Sequence, residues 1–391
     1  MAAPRGRVYT TAQEFMATIA STVPASAPAA AEQPATRKAG VRLTSLDAYR
    51  GLIMITLAST GFGLASLGKS EHWAWLANQV EHTAWEGCTF WDLIQPAFTF
   101  MVGVAMPFAF ARRMAQGATT PALFRHVAWR AFMLAVLSNL YSNWGTTKPH
   151  LTLQLINVLS QIALGYVLCF FITRMRFSRQ VAAAAAMLAG QWALFALFPG
   201  PEGAFSREGN IGAVIDLKLL GYNYSGYYTT INFIGNAVTI LFGCWAGALL
   251  RSEKPQQYKL KVLLGFAAGC FALGLGLEPL NPMVKRLWTA SFTFFSGGWV
   301  ILMLAVFYWV IDVKQVKRWS FPLVVVGMNS LFIYSLGQIG IRGWLDRGLR
   351  GFTGNFSFLG EAGAIPQHIL VVAVMWYVCY WLYQRKIFFK L

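Results

Sequence analysis

Charge is scarce in this sequence, and acid scarcer than base: 12% of the 391 residues are charged, with 15 Asp+Glu against 32 Lys+Arg. Soluble domains carry about twice that charged share, so a water-solvated enzyme is excluded as the main architecture. The five cysteines are an odd number, mostly inside apolar runs and without paired metal spacing, which argues against a disulfide framework or a zinc site. Among the five histidines neither an HxxH nor an HxxxH spacing occurs, so no metal is expected. Residues 1–42 contain no apolar run long enough for a signal-peptide core and are rich in Ala, Pro, Ser and Thr; they are expected to form a disordered cytoplasmic tail.

What remains is strongly apolar, with 56% hydrophobic residues and a mean hydropathy of +0.49. The fold class expected is all-α, a polytopic integral membrane protein, with residues 43–391 as one transmembrane domain. Apolar runs long enough for about 30 Å of hydrocarbon fall near 48–68, 89–111, 126–143, 154–173, 179–198, 230–250, 259–277, 288–311, 320–341 and 367–385, about ten spans. The net charge of +17 would suggest nucleic acid in a soluble chain, but here the basic residues sit in every second short loop. They are read as topology signals and contacts to anionic membrane lipids, not as a nucleic-acid surface. Both termini and the basic loops are then cytoplasmic, and His72, His82, His150 and His368 fall on the external side, where they could line one vestibule. The external loop containing GYNYSGYY reads as an interfacial belt or, through Tyr222, Tyr224, Tyr227 or Tyr228, as a sugar-stacking surface.

One stretch, EHTAWEGCTFWDLIQPAFTFMVGVAMPFAFARR at 81–113, sets His82 in a polar lead-in and Asp92 at the start of an apolar run. A carboxylate at membrane depth is costly and marks a functional site by default. Pro96 and Pro107 predict a kinked helix there. A neutral imidazole can act as nucleophile or general base, and a carboxylate on its second nitrogen would fix its tautomer. Ten residues along a straight helix separate the two by about 15 Å, so they meet only if the lead-in folds back. Spacing alone leaves open the plainer reading, an interfacial histidine and a helix-capping aspartate.

The blocks LTSLDAYRGLIMI at 43–55, EHTAWEGCTFWDLIQPAFTFMVG at 81–103, KRLWTASF at 285–292, GMNSLFIY at 327–334 and RKIFFKL at 385–391 resemble, in order, the heparan-α-glucosaminide N-acetyltransferase family. The resemblance implies a membrane enzyme that takes an acetyl group from cytoplasmic acetyl-CoA and passes it to a glucosamine amine across the membrane. The family's histidine motif, H-x-x-W-x-G-x-x-x-x-D-L, is matched by His82, Trp85, Gly87, Asp92 and Leu93. It implies a catalytic His82 supported by Asp92. Departures occur at Ala58–Gly61, where animal members carry an Asn, in the added EHWAWLANQV at 71–80, and at Ser160–Gln161, where the family has a Gln-Arg pair. They touch donor and acceptor surroundings more than the chemistry.

Arg50, Arg130, Asn329 and Ser330 are candidate contacts for acetyl-CoA, with an Asp47 ion pair as the plain reading of Arg50 and helix–helix hydrogen bonding as that of Asn329 and Ser330. Trp85, Lys285, Arg286 and His368 are candidate contacts for an amino-sugar or other envelope glycan acceptor. The expected protein is thus a bacterial inner-membrane acyltransferase, compatible with a homodimer. The competing readings are a transporter of a small polar solute and a non-catalytic partner in envelope assembly.

Overall fold

The computed structural model describes residues 43–145 and 152–389. The tail expected to be disordered and His150 lie outside them. Among the described residues the chain is helical, with one isolated β-bridge between Gly200 and Gly203. The helices are α1 Thr44–Ala58, α2 Ala74–Gln79, α3 Ile94–Ala115, α4 Thr120–Ser142, α5 Val158–Ile172, α6 Phe177–Leu197 and α7 Ile211–Leu220. They continue as α8 Phe233–Arg251, α9 Gln256–Leu277, α10 Ala290–Phe307, α11 Phe321–Met328, α12 Ser330–Gln338, α13 Ile341–Thr353 and α14 Ala364–Gln384.

Six helical stretches are long and apolar enough to cross a membrane, and two bent pairs raise the number to eight. The polytopic helical architecture is as expected, but the count of about ten is not reached. The shortfall lies in α4 and α5. With 15 residues α5 spans only about 22 Å at 1.5 Å per residue, and α4 carries Arg125, His126 and Arg130 within its first three turns.

Close backbone crossings hold the bundle together. Gly103 of α3 packs on Ile240 and Gly243 of α8, so two apolar helices meet without intervening side chains. Gly51 of α1 sits so near α11 that a Cβ there would lie 1.8 Å from the Leu323 carbonyl oxygen. The N-terminus of α1 is satisfied from far along the chain: Asp312 takes the Thr44 N–H on Oδ1 and the Ser45 N–H on Oδ2, both at 3.2 Å. A carboxylate at this end also complements the helix dipole.

The breaks in the membrane helices are not where the prolines suggest. Ile94–Ala115 runs as one helix; Pro96 falls in its first turn, where its missing N–H has no helical acceptor to lose, and Pro107 is carried within it. The bends lie instead after α1, by 44°, and between α11 and α12, by 63°. In the first, Thr60, Gly61, Phe62 and Gly63 all have positive φ, between 50° and 73°. In the second, Asn329 turns out of the helix and its amide clasps the chain's C-terminal segment, with Nδ2 donating to the Ile387 carbonyl and Oδ1 accepting from the Phe389 N–H, each at 3.1 Å. Asn329 thus ties this bend to the segment after α14, and proline content could not have located it.

Candidate active site

The lead-in to α3 does fold back. Gly87, with φ of 104°, turns the 81–90 segment onto the loop before α10, and its N–H donates to the Met283 carbonyl at 2.8 Å. Any residue with a Cβ is disfavoured at that φ. The Trp85 indole N–H donates to the Phe205 carbonyl at 2.9 Å, and Arg286 donates to the Ala84 carbonyl while its guanidinium lies 5.8 Å from the Trp85 ring centre. The facing turn is itself constrained, since the wholly buried Trp288 has a φ of 53° and its indole donates to the Thr239 hydroxyl. A buried aromatic in the left-handed region is rare and is retained only where surrounding packing enforces it.

These contacts bring three ionisable groups together. The Nδ1 of His82 lies 2.6 Å from Oδ1 of Asp92, and the Lys285 ammonium donates to the same oxygen at 3.2 Å. The second carboxylate oxygen accepts from the Thr83 N–H at 3.3 Å, the Thr89 N–H at 3.2 Å and the Thr89 hydroxyl at 3.0 Å. That hydroxyl also reaches the Glu81 carbonyl at 2.7 Å. An ionised carboxylate only accepts, so the imidazole proton belongs on Nδ1 and the Nε2 lone pair is left available. In this tautomer the 3.2 Å approach of Lys285 to Nδ1 is a contact, and its hydrogen bond goes to Asp92.

Burial sharpens the arrangement: the Asp92 and Lys285 side chains are 1% and 6% exposed, whereas His82 is 43% exposed. The buried charges neutralise each other, and the imidazole projects from the pair. The aspartate therefore does more than cap a helix. Cys88 lies in the same field; burial, reinforced by the Asp92 charge and opposed by Lys285, pushes its thiol up to about 12.

His82 and Lys285 line a cavity of about 440 Å³. Its walls come from Met54 and Leu57 just before the first helix break, and from Tyr334 and Gln338 beyond the second. Trp91, Gln95 and Phe98 of the α3 region and Gln154, Asn157 and Tyr228 complete much of the rest. Asn157 is held in place: its side-chain Oδ1 accepts from the Leu159 N–H at 3.1 Å and from the Tyr334 hydroxyl at 3.3 Å. Polar amides on apolar walls suit a ligand with hydroxyl or amide groups.

The other expected contacts divide. Trp85 and Arg286 buttress the loop that carries His82. Arg50 pairs with Asp47 at 3.1 Å, and Arg130 donates to the Tyr166 hydroxyl and lies over that ring at 4.9 Å. None of Arg50, Arg130, Asn329 and Ser330 lines the cavity. His368 instead faces the Ser59 carbonyl at 3.0 Å, beside the first break. Of the four histidines expected to share a vestibule, His82 alone among those described lines this cavity. Of the loop tyrosines, Tyr228 lines it, while Tyr222 and Tyr224 bind the Leu153 carbonyl and so fix the wall. Gln154, Asn157 and Gln338 carried no motif and were missed. Lys285 was noticed, but not as the partner of Asp92.

No family model matches the chain. Two curated proteins are similar to it: the heparan-alpha-glucosaminide N-acetyltransferases of Homo sapiens, 24% identical over 438 aligned positions, and of Mus musculus, 23% identical over 432. Each match covers 92% of this chain but 62% of the relative, so the chain spans under two thirds of those proteins' length. Along nearly its whole length, and at an identity that marks a distant relationship, the chain is similar to the heparan-alpha-glucosaminide N-acetyltransferases.

Proposed function

We propose that the protein is a membrane acetyltransferase that moves an acetyl group from acetyl-CoA to the amine of an amino sugar or a related envelope glycan. The observation that carries the reading is the half-exposed His82, held by the buried Asp92–Lys285 pair at a polar-lined cavity. The activity named for the two relatives suggests the reaction class. As general base, Nε2 takes a proton from the acceptor amine as its nitrogen bonds to the thioester carbonyl carbon. The carbon–sulfur bond breaks and the leaving thiolate takes that proton from the imidazolium, which Asp92 stabilises meanwhile, so CoA departs as the thiol and His82 is neutral again. As nucleophile, Nε2 first takes the acetyl group and then yields it to the amine, with the same overall balance. Quenched single-turnover labelling separates the two routes, because only the second puts acetyl on protein.

In this reading Tyr228, Gln154 and Gln338 contact the acceptor, and acetyl-CoA approaches from the opposite, cytoplasmic face of a bacterial inner membrane, where the basic loops lie. Cysteines introduced at Gly117 and Gly203 should accordingly label from opposite sides, Gly203 from outside. In sealed, oriented vesicles acetyl-CoA should act only on the cytoplasmic face and glucosamine only on the external one. A requirement for both on one face would end the transmembrane version while leaving the acetyltransferase intact.

The test of the reading itself uses proteoliposomes with radiolabelled acetyl-CoA and glucosamine. Wild-type protein should label the acceptor, and His82→Ala should lower transfer by roughly 10²–10⁴-fold while the protein stays folded. Near-normal transfer by folded His82→Ala would remove the catalytic assignment. The two bent helices flanking the cavity are also the hardware of a transporter. Uptake of unmodified amino sugar without acetyl transfer would favour that alternative.

A further inference from the structure

At the end of α3 remote from His82 lies a second cavity, of about 520 Å³, between the last turn of α3 and the first turns of α4. Arg113, Arg125, His126 and Trp129 line it. Its lining contains no acidic residue, and neither Arg113 nor Arg125 has an ion pair or side-chain hydrogen bond among the described residues. Neighbouring arginines differ. Arg130 is held by Tyr166, and Arg174 donates to the Thr120 hydroxyl while lying 4.3 Å over the Phe170 ring. Two guanidinium groups facing one cavity without a carboxylate repel each other, and each offers a fork of donors that matches phosphate oxygens.

We propose that this cavity seats the phosphate of an anionic phospholipid headgroup. From Trp129 a line of exposed apolar side chains, Phe132, Val136 and Leu140, continues along one face of α4. The spacing is helical and the line extends for about 17 Å at 1.5 Å per residue, enough to accompany much of an acyl chain. Tryptophan at the head of such a line is suited to headgroup depth. A soluble phosphate would use the arginines but not the line below them.

The distance to the other site opposes a nucleotide. Arg113 stands about 30 Å along the helix axis from Asp92, at 1.5 Å per residue. A pantetheine arm reaches about 15–20 Å when extended, judged from 3.3–3.6 Å per residue-equivalent of chain. A donor whose phosphates sat at Arg113 could not present its thioester to His82, so a donor entering from this face has to seat its phosphates deeper than this cavity. The headgroup seat also accounts for the polarity of α4: Arg125 and His126 occupy its first turns because a headgroup lies there, and the apolar remainder faces lipid.

The test uses the full-length protein, delipidated in detergent and titrated with phosphatidylglycerol or with phosphatidylcholine of identical chains, with bound lipid counted by native mass spectrometry. Wild-type protein should hold one phosphatidylglycerol at least 10-fold more tightly than phosphatidylcholine. Arg113→Ala/Arg125→Ala should abolish the preference, and Arg113→Gln/Arg125→Gln, which retains bulk, carries the same expectation if the alanine pair fails to fold. Arg174→Ala should leave the preference intact, because that guanidinium is already engaged. The proposal is overturned by equal binding of the two lipids to wild type, or by folded double variants that keep the preference. It is overturned equally if millimolar inorganic phosphate displaces the lipid, which would identify a soluble-anion site. Displacement by CoA, with a raised KM for acetyl-CoA in the double variants, would overturn it in favour of a donor site.

Discussion

At the N-terminal end of α3 Asp92 is 1% exposed and receives Lys285 and His82, whereas at the C-terminal end Arg113 and Arg125 face a cavity that offers no carboxylate. In the first region the protein supplies both signs of charge itself, and four further contacts from Thr83, Thr89 and Glu81 fix the geometry before any substrate arrives. In the second it supplies one sign only. Internally compensated charge suits catalysis, where reacting groups gain from being positioned in advance. Uncompensated charge suits a site completed by its surroundings.

The sharpest way to break this contrast is to remove compensation where it exists. Lys285→Met leaves a buried carboxylate without its cation and should lower stability by about 3–5 kcal/mol. Lys285→Met/Asp92→Asn should recover much of that loss, which a double-mutant cycle of denaturant midpoints would read. At the other end, Arg113→Met should change stability by well under 1 kcal/mol, as expected for a charge without an ion-pair partner among the described residues. Equal losses at both ends would erase the distinction.

A second comparison uses thiols. With its thiol pushed up to about 12, Cys88 carries far less thiolate near pH 7.5 than a cysteine at its ordinary value. Iodoacetamide should therefore modify Cys88 far more slowly than a Gly117→Cys thiol, whose position near Arg113 is open, and raising the pH to 9 should speed the latter first. Comparable rates at pH 7.5 would contradict the half-buried, acid-flanked setting of Cys88. The smallest effect concerns the cavity wall: Tyr334→Phe removes one hydrogen bond to Asn157 and should cost about 1 kcal/mol, with a modest rise in KM for the acceptor. An unchanged KM would mean that Asn157 holds its place without it.

The sequence made the class of fold legible because most spans are long and poor in charge, but hydropathy over-counted at α4, which carries Arg125 and Arg130, and at the 15-residue α5. The bends were not legible. Pro96 marks a helix start and Pro107 is tolerated, while the bends fall at Thr60–Gly63 and Asn329, where tertiary contacts such as the clasp on Ile387 and Phe389 decide the backbone. In the candidate site the His82–Asp92 pair could be named from a local motif. The role of Lys285 could not, because it meets Asp92 across 193 residues of chain. Gln154 and Gln338 were likewise invisible, since an amide on a cavity wall leaves no periodic or motif signature.

The carboxylate that closes the N-terminus of α1 carries a consequence for biosynthesis. Asp312 lies 268 residues after Thr44, so at ribosomal speeds of about 5–20 residues per second α1 leaves the exit tunnel roughly 13–54 s before its cap exists. During that interval the first hydrophobic segment has to be held by the insertion machinery or by lipid, with its leading N–H groups solvated at the interface. A chain stalled before residue 312 should therefore expose Thr44 and Ser45 amides to hydrogen exchange, and release past that point should protect them.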